Sequence, residues 1–183
     1  IKEMKKSCSV VIPVLNEGKN ILKLKKLIEK YFKLKNREII FVDDNSQDNS
    51  LSILKRIKSK KIRFFVRKKK NDLIQSCFLG IEKAKYNNII IMDGDLQHHP
   101  KYLIKLFNIY KKNKRDIVVS SRSFKKRQNL SIIRFYSSKI LIFIINFFLG
   151  YKVSDPMSGF FIFNKKRIMK NKSKFMGKDI KYF

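Results

Sequence analysis

Two aspartates, Asp93 and Asp95, flank Gly94 directly after an apolar run at residues 89–92. Carboxylates spaced in this way on a tight turn can direct their oxygens at one hard cation, and the glycine lets the backbone come close to a ligand. Mg²⁺ or Mn²⁺ held by two carboxylates keeps positions open for water and phosphate oxygens. The triplet therefore predicts a site for a metal and a diphosphate. The alternative is a turn that caps a helix beginning at Pro100.

This acidic pair stands out because the chain is strongly basic. Its 183 residues include 44 Lys and Arg against 14 Asp and Glu, a formal net charge of +30. Such a charge predicts attraction to a polyanion, whether nucleic acid, anionic lipid or a phosphorylated substrate. The hydrophobic content of 44% argues against disorder, and the length suits one domain with a buried core.

The cysteines and the apolar runs predict the cellular compartment of the protein. Cys8 and Cys77 lack the close pairing of a zinc or redox motif, which predicts reduced core thiols in a cytosolic setting. No secretory signal is predicted, because residues 1–7 are basic and the apolar run after them stops at Pro13. The apolar run at residues 140–149 is about half of the roughly 20 residues that cross a bilayer. We therefore do not expect the chain to span a membrane by itself.

Short β-branched runs alternate with segments of helical periodicity over the first two thirds of the chain. Apolar residues such as Ile21, Leu24 and Ile28 recur at helical spacing between the first two runs. Continuous apolar strands separated by helices predict an α/β fold, with a mostly parallel, Rossmann-like sheet covered by helices on both faces. The predicted strands are residues 9–14, 38–42, 62–66, 88–92 and 116–121.

Polar residues that could bind a ligand follow four of these strands. Because ligands collect at the carboxyl ends of parallel strands, these residues are expected to share one edge of the sheet. The residues at the four strand exits are Asn16 and Glu17; Asp43, Asp44, Asn45 and Ser46; Asp93, Asp95 and Gln97; and Ser121 and Arg122.

Five segments in this order resemble the family 2 glycosyltransferases, most closely the branch of dolichyl-phosphate mannose synthase and bacterial polyprenyl-phosphate sugar transferases. The segments are VVIPVLNE, IIFVDDNSQD, IIIMDGDLQHHP, SSRS and DPMSGF, and the resemblance covers residues 8 to about 168. It implies a GT-A fold and a Mg²⁺- or Mn²⁺-dependent, inverting transfer of a sugar. The donor would be a GDP- or UDP-linked sugar, and the acceptor a dolichyl or undecaprenyl phosphate.

The resemblance also implies roles for individual residues. Asp44 would read the base edge, and the metal and diphosphate would be held by Asp93, Asp95 and Gln97. Contacts to the donor nucleotide would come from Pro13, Val14, Asn16, Glu17, Asp44, Asp93 and Gly94. Asp95, Arg122, Arg134 and Asp155 would be the catalytic residues. The acceptor phosphate would be bound by Arg122, Arg134, Ser138 and Ser158.

The layout implied for the single domain has three parts. Residues 8–128 would form the nucleotide-sugar-binding core, and residues 129–168 a segment for the acceptor and the membrane interface. Residues 169–183 resemble the start of a C-terminal region cut short. The apolar segment at residues 130–151 is expected to lie in the headgroup region of an anionic membrane rather than against the sheet. This places the chain peripherally on the inner face of the cytoplasmic membrane, as a cell-envelope enzyme, with a membrane partner or a homo-oligomer left open.

The sequence also allows other interpretations of the function. The acceptor could be a polysaccharide or another non-lipid molecule. A nucleic-acid-binding protein is not favoured, because the basic residues are spread along the chain and no recognised binding motif is present. His98 and His99 are expected to serve in a loop or a helix cap rather than in catalysis. Residues 71–76 read NDLIQS where the family usually carries glycines, which leaves the base and the sugar open.

Overall fold

The computed structural model describes residues 6–113, 117–120 and 159–170. The described strands are β1 (Ser7–Val14), β2 (Asn36–Asp43), β3 (Ile62–Val66), β4 (Asn88–Ile91), β5 (Ile117–Val119) and β6 (Phe161–Asn164). The described helices are α1 (Gly18–Tyr31), α2 (Ser50–Arg56), α3 (Leu73–Lys83), α4 (Leu103–Asn113) and α5 (Lys165–Lys170), and a 3-10 turn, Pro100–Tyr102, precedes α4.

The described strands form one six-stranded sheet in the order β3-β2-β1-β4-β6-β5. β1 is parallel to β2 and to β4, and β2 is parallel to β3. β6 lies antiparallel between β4 and β5. The prediction of a mostly parallel sheet is confirmed, and β6 is a strand that the sequence did not predict. Its apolar run, residues 160–163, falls within residues 129–168, which were assigned to the acceptor and the membrane interface, whereas the structure places this run inside the sheet.

Helices cover both faces of the sheet because successive strand residues point to opposite sides. Val10 and Ile12 of β1 belong to a core cluster that includes side chains of α1 and α4. Val11 belongs to a second cluster with side chains of α3 and α5. All eight residues of β1 are buried, as a strand covered on both faces requires.

Gly80 allows α3 to approach the sheet closely. A Cβ at this position would overlap Cγ1 of Val11 and would lie 3.1 Å from Cγ2 of Val42, both on the face that α3 covers. Gly80 therefore serves the packing of α3 on the sheet, and it is not one of the predicted site residues.

A buried carboxylate, Glu38, joins the strands near the amino end of the sheet. Its oxygens accept hydrogen bonds from Ser9 Oγ at 2.7 Å, from Lys85 N at 2.5 Å and from Arg63 Nη1 at 3.1 Å. A buried charge with this many donors is electrostatically satisfied. Glu38 is therefore a structural acid at the edge opposite the predicted site.

Both cysteines are buried and free, in agreement with the prediction of reduced core thiols. Over residues 6–113, 117–120 and 159–170, no helix has both the length and the apolar character that crossing a membrane demands. The apolar segment at residues 130–151 lies outside the described residues.

Candidate functional site

Three left-handed residues mark the loops at the carboxyl edge of the sheet. Asn16, Asn45 and Leu96 have φ angles of 57°, 64° and 62°, and each lies in the loop that follows β1, β2 or β4. Asparagine tolerates this conformation, whereas leucine rarely adopts it. The side chain of Leu96 packs against the hydrophobic core, which holds the turn in place. Backbone strain held by packing is a feature of functional loops.

The loops after β1 and β2 are bound to each other by side chains. Asn16 N donates to Ser46 Oγ at 2.9 Å, and Gln47 N donates to Asn16 Oδ1 at 2.8 Å. Glu17 N donates to Ser50 Oγ, also at 2.9 Å. Asn16 and Glu17, both predicted to contact the nucleotide, are therefore set in a preorganised double loop.

Asp44, predicted to read the base edge, is buried and paired with Arg67. Its Oδ2 also accepts a hydrogen bond from Asp72 N at 2.6 Å. Asp72 in turn caps α3, because its Oδ1 accepts from Gln75 N at 3.1 Å. The NDLIQS segment, which departs from the family pattern, thus supports Asp44 directly. Arg67 was not predicted as a site residue, although it directly follows β3, just as the predicted site residues directly follow other strands.

Asp43 is a second buried carboxylate at the end of β2, with an exposed fraction of 1%. Its Oδ2 accepts from Ser46 N at 3.2 Å. Its Oδ1 has no hydrogen-bond donor among the described residues. Buried acceptors are rarely left unsatisfied, so this oxygen is an unusual feature of the carboxyl edge. The resemblance implied that Asp44 reads the base edge, whereas Asp43 was predicted only as one of the polar residues at this strand exit.

The acidic turn after β4 lies against the end of β1. A Cβ on Gly94 would lie 3.2 Å from Val14 Cγ1 and 3.4 Å from Pro13 O, so the glycine allows this close approach. The structure therefore brings the predicted nucleotide loop and the Asp93–Asp95 triplet together. Asp95 Oδ1 accepts a hydrogen bond from Gln97 N at 2.9 Å.

The 3-10 turn that begins at Pro100 is capped by a histidine. His99 Nδ1 accepts a hydrogen bond from Lys101 N at 3.1 Å, which confirms the expected capping role. The cap observed at this turn is thus His99 and not an aspartate of the triplet. His98 is buried with its ring centroid 5.3 Å from that of Phe160.

Glu17 and Asp95 form an acidic pair across the two strand exits. Burial raises the pKa of the Glu17 carboxyl, and the negative charges of Asp95 and Asp48 raise it further. A hydrogen bond of 2.6 Å from Asn20 Nδ2 acts in the opposite direction. Excess negative charge therefore accumulates at this edge of a protein that is otherwise basic.

The raised pKa of Glu17 predicts a pH dependence of stability. The folded state holds this proton more tightly than the unfolded chain does, so stability is greatest at and below the usual glutamate pKa. The free energy of unfolding is then expected to fall as pH rises through the raised pKa. Urea unfolding at a series of pH values with EDTA present measures this. Glu17→Gln should flatten the profile and Glu29→Gln should not; equal profiles for wild type and Glu17→Gln would contradict the prediction.

The donor set at this edge fits a small divalent cation bound jointly with a substrate. Mg²⁺ is usually held by one or two carboxylates and completes its shell with water and phosphate oxygens. Asp93 and Asp95 supply two carboxylates, and the negative charge around Glu17 favours a cation here. Among the described residues no group of three or more His, Cys, Asp and Glu forms a cage made of protein alone. Gln97, the third predicted ligand, is exposed beside them.

Several predicted site residues lie outside the described part of the chain. They are Arg122, Arg134, Ser138, Asp155 and Ser158. The structure thus gathers the predicted donor side of the site and does not describe the predicted acceptor side.

A mostly parallel sheet covered by helices, with carboxylates at its carboxyl edge, defines the class as an α/β protein, and in such folds ligands bind at the strand exits. The chain belongs to glycosyl transferase family 2, whose family model matches residues 9–170. It is 33% identical over 163 residues to a dolichol-phosphate mannosyltransferase of Pyrococcus furiosus, which covers 86% of this chain and 46% of the relative. The chain therefore spans about half the length of this relative.

Solved structures show the same fold. TarS 1-349 of S. aureus in complex with UDP matches with a TM-score of 0.67 and 16% identity, over 91% of this chain and 49% of TarS. Glucosyl-3-phosphoglycerate synthase of Mycobacterium tuberculosis, in complex with Mn²⁺, UDP-glucose and phosphoglyceric acid, matches with a TM-score of 0.64 and 15% identity. That match covers 88% of this chain and 57% of the synthase. The chain has the GT-A fold that sequence analysis expected.

Proposed function

We propose that this chain binds a nucleotide-diphosphate sugar and transfers the sugar, with inversion, to a polyprenyl phosphate. One observation carries the proposal: Asp93 and Asp95 follow β4 beside the Glu17 loop, at the carboxyl edge of a family 2 fold. The relative from Pyrococcus furiosus, named a dolichol-phosphate mannosyltransferase, supports a lipid phosphate as the acceptor.

In this proposal Asp93 and Asp95 hold Mg²⁺ or Mn²⁺, with Gln97 beside them. The ion, when bound, supplies positive charge to the leaving diphosphate. The double loop at Asn16 and Glu17 holds the nucleotide in place. Asp44 accepts hydrogen bonds from the base, and its pairing with Arg67 orients its carboxylate.

The acceptor needs little help from a general base. A lipid phosphate is already ionised at neutral pH, so its oxygen attacks the anomeric carbon as the bond from that carbon to the diphosphate breaks. Negative charge then grows on the leaving group, and cationic groups near it stabilise the transition state. We assign this task to Arg122, and the binding of the acceptor phosphate to Arg134 and Ser138. Asp155 and Ser158 would lie near the sugar and the acceptor.

The proposed place of action is the inner face of the cytoplasmic membrane. The net charge of +30 favours an anionic surface, at roughly 1 kcal/mol for each Lys or Arg close to it. The part of residues 129–168 that precedes β6 would form the interfacial segment that brings the acceptor phosphate to the edge of the sheet, since β6 itself is buried between β4 and β5. A non-lipid acceptor is the alternative, and the choice of acceptor in an assay separates the two.

Titration calorimetry with UDP-glucose, UDP-N-acetylglucosamine and GDP-mannose, with and without Mn²⁺, tests the donor side. We expect one donor to bind, and to bind only with the metal. Transfer to undecaprenyl phosphate or dolichyl phosphate then tests the acceptor. Arg134→Ala should leave donor affinity unchanged and abolish transfer. Loss of donor affinity in that variant would place Arg134 on the nucleotide side, and metal-independent binding by the wild type would contradict the proposed site.

A further inference from the structure

Gly159 lies directly across from the acidic turn. In the antiparallel ladder between β4 and β6, Asn88 pairs with Asn164 and Ile91 pairs with Phe161. Continued by two residues, the same register sets Gly159 opposite Asp93. Immediately after Gly159, the carbonyl of residue 160 accepts a hydrogen bond of 2.9 Å from the backbone N–H of residue 120, which follows β5. Gly159 is thus held in line with the ladder.

The carboxylate of Asp93 occupies the space that a side chain at position 159 would need. A Cβ built on Gly159 would come closer than 3.0 Å, nearer than real Cβ atoms approach, to Oδ1, Oδ2 and Cγ of Asp93. Glycine within a sheet often marks a close approach of another group. Here the approaching group is an aspartate of the acidic turn.

We propose that Gly159 is a positioning residue for Asp93. Because it lacks a side chain, the carboxylate can lie over the backbone at the start of β6, beside Gly94 and Asp95. The end of the DPMSGF segment would then form one wall of the metal and diphosphate site, whereas the family resemblance implied a place near the sugar and acceptor. This inference rests on the proposed function, since it concerns the residue assigned to hold the metal.

Gly159 and Gly80, both closely packed, should respond differently to the same substitution. At position 159 the obstacle is a short, half-buried side chain, and a rotation of Asp93 relieves the overlap. At position 80 the obstacles are Val11 and Val42, which are fully buried in the core and have nowhere to move. Gly159→Ala is therefore expected to misplace a ligand with little loss of stability. Gly80→Ala is expected to lower stability and leave the site intact.

The test is a cycle of variants of the 183-residue chain. Calorimetry with Mn²⁺ and either UDP-glucose or GDP-mannose gives donor affinity, and thermal melting gives stability. Gly159→Ala should weaken metal-dependent binding about 10–100-fold, the usual effect of losing a group that orients a metal ligand. In an Asp93→Ala background, where metal-dependent binding is already lost, the same change should not lower the melting temperature further, because the overlapping atoms are gone. Gly80→Ala serves as the control for a glycine in close packing.

Each outcome either supports or overturns the positioning role of Gly159. Wild-type affinity in Gly159→Ala, or a double variant that melts below Asp93→Ala, would overturn the inference. If Gly159→Ala fails to fold, the double variant with Asp93→Ala should fold again. A double variant that stays unfolded would also overturn the inference. Absence of metal-dependent binding by the wild type would refute the proposed function itself, and that result is distinct from a failure confined to the variants.

Discussion

Asp95→Asn is expected to abolish metal-dependent donor binding and to reduce sugar transfer by about 10²–10³-fold, the scale typical of losing one group that stabilises transition-state charge. The amide keeps the shape of the side chain and can still accept the hydrogen bond from Gln97 N. It removes the negative charge that a divalent cation requires. Calorimetry with and without Mn²⁺ measures the effect, and thermal melting should show an unchanged fold.

The same substitution has a second expected effect. The charge of Asp95 contributes to the raised pKa of Glu17, so Asp95→Asn should bring that pKa closer to its usual value. Glu29→Gln is the matched control, because it also removes one negative charge but lies on α1, in a partly exposed pair with Lys25. Unchanged donor affinity in Asp95→Asn, or an equal loss in Glu29→Gln, would contradict the assignment of the metal site.

Arg67→Ala is expected to destabilise the fold by about 3–5 kcal/mol, because it leaves the buried carboxylate of Asp44 without its cation. Both side chains are largely inaccessible, with exposed fractions of 10% for Arg67 and 4% for Asp44. The guanidinium also donates to the carbonyl of Asp72 at 3.1 Å, so the loop before α3 loses support as well. Urea unfolding near neutral pH measures the loss.

Two further variants test whether the loss of stability expected in Arg67→Ala comes from the burial of its ion pair with Asp44. Lys25→Ala breaks a partly exposed i,i+4 ion pair of 2.8 Å on α1 and should cost only about 0.3–0.5 kcal/mol. Removing both partners with Arg67→Ala and Asp44→Ala should cost less than the sum of the two single changes, since no lone charge stays buried. A loss below about 1 kcal/mol in Arg67→Ala, the upper range for exposed pairs, would show that the pair is open to water.

The Asp44–Arg67 pair also bears on the choice of base. Asp44 receives Arg67 on one oxygen and Asp72 N on the other, so its orientation is set before a nucleotide arrives. Asp43 keeps an oxygen without a donor among the described residues. We expect the two carboxylates to contribute separately to donor affinity, which Asp43→Asn and Asp44→Asn would distinguish by calorimetry.

The sequence by itself determined the α/β class and the positions of the first five strands along the chain, and it predicted the edge of the sheet at which a ligand would bind. These features follow from local patterns: β-branched runs, helical periodicity and polar residues at strand exits. The third strand was predicted with its exact bounds, 62–66, and β1 differs only in beginning at Ser7, where it pairs with Asn36 of β2. The five ordered segments were sufficient to predict the family.

Only the tertiary structure decided which distant residues meet at the site. β6 joins the sheet between β4 and β5, and this insertion sets Gly159 against Asp93. Arg67 reaches Asp44 because β3 is the neighbour of β2. Such contacts depend on strand order and register, which arise from packing over long sequence separations and leave no local periodicity to read. The chemical groups were visible in the sequence, whereas their partners were set by the way the sheet is assembled.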